Sequence, residues 1–146
     1  MSSIEAVENA ARVAREAAAG LAQAREERDK AIRDARASGA TVTAIARAAG
    51  VARTTAHAAL RAAPGVAVDG DPLAHAARAA VAWREADAAH NAANAELNKA
   101  VARGMDDGGV SAAQVEAVTG WTAARPYQAR DLGRALLAGD ANGPTA

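Results

Sequence analysis

The chain has 146 residues, with 17 basic and 17 acidic side chains and no net charge, and 48 of its positions are alanine. Phe and Cys are absent, Tyr occurs once and Trp twice. That excludes a disulfide framework, a thiolate metal site and a cysteine nucleophile, and leaves too few β-branched and aromatic side chains for a sheet core. What remains, Ala with Arg, Glu, Gln and Leu, favours helices, so an all-α fold is expected.

Residues 3–37 contain one Gly and no Pro. Apolar positions fall at Ile4, Val7, Ala11, Ala14, Ala18, Leu21, Ile32 and Ala35. This 3-4 spacing marks one face of a single helix, about 52 Å long if unbroken. Ser2 or Ser3 is placed to cap it, with Glu5 near the positive end of the dipole. Arg25 and Arg28 interrupt the stripe, so its middle is expected to be exposed or to face a partner. A short amphipathic helix over Thr43 to Ala49 should follow and end at Gly50. The turn Gly50-Val51-Ala52 should then lead into another helix from Arg53. Ile45 and Val51 should face a small core, and Ala46 should allow close approach. Residues 64–71 are rich in turn formers and read as a linker. Asp71 and Pro72 then start a second long helix over 72–106, with Leu73, Ala76, Ala80, Trp83, Leu97 and Val101 as its stripe and His90 and Asn94 as polar breaks. A divergent second pair of short helices is expected over 111–137, with Ser111 as a cap. There Pro126 stands either in the fourth helical position or at a fresh helix start. The tail 139–146, GDANGPTA, reads as disordered.

Shifting the chain by 69 residues overlays its halves. AREA at 14–17 meets WREA at 83–86, pairing Arg15 with Arg84. ERDKAI at 27–32 meets ELNKAV at 96–101. One inserted residue makes the shift 70, after which Ile45 meets Val115, Gly50 meets Gly120 and Val51 meets Trp121. The charged and Gly matches carry the argument, because Ala identities mean little in this chain. The expected organisation is two tandem units, 1–63 and 72–138, related by pseudo-twofold symmetry.

The segment TVTAIARAAGVARTTAHAALR, Thr41 to Arg61, holds the chemistry. No acid lies between Asp34 and Asp69, whereas Arg36, Arg47, Arg53 and Arg61 do. Ile45, Ala46, Gly50, Val51 and the polar stretch from Arg53 resemble a helix-turn-helix DNA-binding motif, similar to those of resolvase-type recombinases and of phage or plasmid repressors. The likeness covers about twenty residues and the helix before them. It departs from the pattern at Ala52, where Ser or Thr usually caps the recognition helix, and at Ala56 and Ala59, where larger aliphatics usually sit. The resemblance implies that Arg53, Thr54, Thr55 and His57 meet base edges in the major groove. Arg36, Arg47 and Arg61 would contact phosphates. In the second copy Thr122, Arg125, Tyr127, Gln128 and Arg130 are the corresponding candidates. Glu116 there replaces the close-packing Ala, and nearby acids weaken the field. That copy reads as a second reader or as a packing module.

No phosphate-binding Gly loop, HExxH spacing or calcium loop is present. No enzyme activity, metal or other cofactor, or small-molecule ligand is expected. Trp83 and Trp121 read as core plugs, and Asp106-Asp107 as a solvated helix end. The acidic start MSSIEAVENA has no signal-peptide pattern, and charges interrupt every Ala run. A cytoplasmic, nucleoid-associated protein bound to double-stranded DNA is the leading expectation, as a regulator or repressor of mobile-element type. A homodimer through the Ala-rich helices is a further expected partner. Rivals are an architectural DNA binder, a packaging adaptor resembling a small terminase subunit, and a helical interaction protein with no DNA role.

Overall fold

The computed structural model describes residues 1–142, and among these it has six α-helices and no strand. They are α1 (Ser3–Ala37), α2 (Val42–Ala49), α3 (Arg53–Ala62), α4 (Pro72–Asp107), α5 (Ala112–Thr119) and α6 (Arg125–Asn142). The all-α expectation holds.

Local chemistry sets most of the starts. Ser2 Oγ accepts from the Glu5 amide at 3.2 Å while the Glu5 carboxylate accepts from the Ser2 amide at 2.9 Å, so Ser2 is the cap of α1. Asp71 accepts from the Ala74 amide at 3.1 Å at the start of α4. Ser111 and Gln114 form a reciprocal box on α5. At the other end of the chain, the segment expected to be unstructured from Gly139 is helical as far as Asn142. Residues 143–146 lie outside the described residues.

The chain forms two compact units, Met1–Ala18 with Ala89–Ala146, and Ala19–Ala88. This differs from the sequence division into 1–63, a linker 64–71 and 72–138. The physical reason is that each long helix contributes one half to each unit. Residues 64–71 accordingly lie inside the second unit, not between two.

In the first unit the opening half of α1 runs antiparallel to the closing half of α4. Val7, Ala11, Ala14, Leu97 and Val101 are buried together, and Val115 of α5 and Ala129 of α6 join them. Gly133 of α6 lies on the α4 backbone, where a Cβ would collide with the Asn98 carbonyl. Arg134 donates two hydrogen bonds to Asp106, which holds that carboxyl below its ordinary range. Asp106 is therefore a clasp on α6, not merely a solvated helix end. Lys99 joins α4 to α6 through Asp140 at 2.6 Å.

In the second unit Ile32, Ala35, Ile45, Ala46, Ala56 and Ala59 form the core, with Val51, Leu60 and Leu73 packed on it. Small side chains bring the backbones close, which suits helices poor in bulky residues. Arg28, expected to break the stripe, is 7% exposed and stacks its guanidinium 4.5 Å from the centre of the Trp83 ring. The segment after α3 is strapped to α1. The Val66 amide donates to Asp34 at 2.9 Å, and the Val68 amide donates to Ser38 Oγ at 3.1 Å. Gly65 presses on the Arg33 carbonyl, leaving no room for a side chain.

Candidate nucleic-acid interface

In the second unit Thr41 caps α2 by accepting from the Ala44 amide. Gly50 ends that helix in the left-handed region, φ 66° and ψ 35°, where a side chain is costly and Gly is not. The Gly50 and Val51 amides donate back to the Arg47 and Ala46 carbonyls. Ala52 has extended cap geometry, φ −67° and ψ 150°, but has no side chain to accept a bond. The missing cap noted in the sequence is thus a bare but correctly shaped position.

Ala56 and Ala59 turn inward from α3, and both are buried. The opposite face carries Arg53, Thr54, His57 and Arg61, all exposed, with Thr55 half-buried at its edge. Arg47 is exposed on α2. Arg36, also exposed, donates to the Ala40 carbonyl at 3.1 Å and so finishes α1. Among the described residues, none of Arg47, Arg53 and Arg61 has an ion-pair partner. The second unit thus brings the first set of candidates onto α3 and its neighbours, with their charges uncompensated.

Sequence reasoning missed Arg84. It reaches from α4 and donates through Nη1 to the Ala49 carbonyl at 3.0 Å, bracing the end of α2 beside the turn. In the first unit Arg15 donates to the Val118 carbonyl near the end of α5 at 3.3 Å. The AREA and WREA match had paired these arginines, and that was the available signal.

The second candidate set is arranged differently. Gly120 ends α5 at φ 76°, but α6 begins only at Arg125. Ala123 takes φ 51° in the intervening turn. Pro126 thus starts the helix anew, in its first turn, where its missing N–H costs nothing. Thr122 lies in the turn and not on the helix. Arg125 stacks 5.0 Å from the centre of the Trp121 ring, and Arg130 stacks 5.3 Å from the centre of Tyr127. Arg130 also lies 3.5 Å from Asp131. Tyr127 and Gln128 are exposed. These cations have neighbours that those of α3 lack.

Comparisons with family models, curated proteins and solved structures find no match to this chain. Among the described residues no group of three or more His, Cys, Asp or Glu is placed to hold a metal ion. No described helix is long and apolar enough to cross a membrane.

Proposed function

We propose that this protein binds duplex DNA in a sequence-dependent manner and acts as a regulator, with α3 entering the major groove. The observation that carries the reading is the outer face of α3. Arg53, Thr54, His57 and Arg61 are exposed there, and none of its arginines has an ion-pair partner among the described residues. Such a face has free hydrogen-bond donors for base edges and phosphates. In this reading Arg53, Thr54, Thr55 and His57 meet bases, while Arg36, Arg47 and Arg61 fix the register on phosphates. The turn at Gly50 presents the helix, and Arg84 steadies the turn.

The reading extends to two tandem copies. Ile32 and Val101, Ala11 and Ala80, Ala24 and Ala93, Ile45 and Val115, and Ala59 and Ala129 match under the shifts of 69 and 70, and all ten are buried. Arg15 and Arg84, matched by the same shift, each hold the end of a short helix. Copies in a pseudo-twofold arrangement would read a bipartite site. The sites would be asymmetric, because His57 and Arg61 correspond to Tyr127 and Asp131 under the shift of 70.

Selection of bound fragments from random duplexes tests the reading. A recurring sequence that binds far more tightly than unselected duplex supports it. Equal affinity for selected and random duplex, with a steep salt dependence, would indicate an architectural binder instead. No retardation of either would end the DNA reading.

A further inference from the structure

The first unit contains a cavity of about 160 Å³ behind the α5–α6 turn. Ala11, Ala14 and Leu97 form its apolar floor, and Arg15, His90, Asn94, Thr119, Trp121 and Arg125 supply the rest of its wall with Ala18. Among the described residues, no carboxylate lines it. Two guanidiniums do, and neither has a carboxylate partner among those residues. Arg15 is anchored by its bond to the Val118 carbonyl, and Arg125 is held over the Trp121 ring. Such anchoring lowers the entropy lost when an arginine takes an anion. The side chains of His90 and Asn94 lie 3.2 Å apart and add polar atoms on the same wall.

The matching place in the second unit is lined by different residues. The shift of 69 puts Trp83 where the cavity has Ala14, Arg28 where it has Leu97 and Leu21 where it has His90. Trp83 and Arg28 stack on one another there. The first unit therefore has the small Ala14 side chain where the second has the indole of Trp83. The cavity is close in volume to the roughly 150 Å³ that accommodates a benzene molecule, and it opens to solvent.

We propose that this cavity binds a small aromatic monocarboxylate of benzoate size. The ring lies on the Ala11–Ala14 floor, and the carboxylate takes charge-assisted hydrogen bonds from Arg15 and Arg125. Because Thr119 and Trp121 bound the cavity, an occupant would bear on the turn that leads into α6. The site does not depend on the DNA reading, and its test contains no DNA.

Sodium benzoate is titrated calorimetrically into the full chain in dilute buffer, with benzamide as the uncharged isostere and sodium chloride as the ionic control. The expected result is saturable single-site binding of benzoate in the millimolar range or tighter, about tenfold or more weakened for benzamide. Arg15→Gln and Arg125→Gln should each weaken benzoate binding by about tenfold or more. Ala14→Trp, which puts here the residue found at the matching position of the second unit, should abolish it. The two arginine variants alter exposed side chains, so they remain informative if Ala14→Trp does not fold. Absence of saturable heat with benzoate, equal binding of benzamide, unchanged affinity in both arginine variants, or full binding by a folded Ala14→Trp protein would each overturn the proposal.

Discussion

Arg53 opens α3 and Arg47 sits in the last turn of α2, so the same charge is offered to a duplex from two different places. If Arg53 forks onto a guanine, Arg53→Ala should cost about 1–3 kcal/mol on the best site and relax preference at one base pair. Arg47→Ala should weaken all duplexes alike and lower the salt slope by about one. Titrations at several salt concentrations separate the two outcomes. Asp34 makes a different prediction. It is 2% exposed and takes hydrogen bonds from Lys30 at 2.6 Å and from the Val66 amide at 2.9 Å. Burial pushes its carboxyl up, but those bonds and the charges of Lys30 and Arg33 outweigh this and leave it below its ordinary value. A lowered folded value stabilises the protein above the ordinary carboxylate range, and that stability is lost as pH falls through the folded value. Asp34→Asn should therefore be less stable than wild type near neutral pH, with the gap narrowing below about pH 4, as urea unfolding at several pH values would read. Residue by residue, the outward face of α3 was legible because period and charge agree there. The burial of Arg28 was not, since its partner Trp83 is distant in sequence and a lone Arg in a stripe looks like a break.

At the level of elements, helix starts were legible where a cap is written into the chain, as at Ser2, Asp71 and Ser111, whereas α2, expected from Thr43, is capped by Thr41 and starts at Val42. Ala52 has the backbone shape of a cap and no oxygen. Ala52→Ser should therefore raise stability by about 0.5–2 kcal/mol, visible as a higher Tm, without moving α3. An unchanged or lower Tm would show that the α3 start is satisfied some other way. The length of α6 was not legible. Gly139 opened the tail expected to be unstructured, and only packing reveals that Gly133 is the point where α6 rests on α4. Gly133→Ala should cost about 1–3 kcal/mol through overpacking, despite the better helix propensity of Ala, and thermal unfolding would register it. The longer turn before α6 was equally hidden, because nothing local marks Ala123 for a left-handed backbone.

For the whole molecule, a net charge of zero does not describe the surface a polyanion would meet. Residues 1–63 hold ten basic and seven acidic side chains, and residues 64–146 hold seven and ten. The all-helical class followed from composition alone. The two compact units did not, since their boundaries fall inside unbroken helices, the first beside Gly20 without ending α1, and arise from long-range pairing of helix halves. The central claim is that α3 lies in a major groove with Arg53 against a guanine edge, and dimethyl sulfate footprinting on a selected duplex reports on guanine N7 in that groove directly. The account predicts at least one guanine N7 shielded by the wild-type protein and exposed again with Arg53→Ala. An unshielded site, or shielding that Arg53→Ala leaves intact, would contradict it.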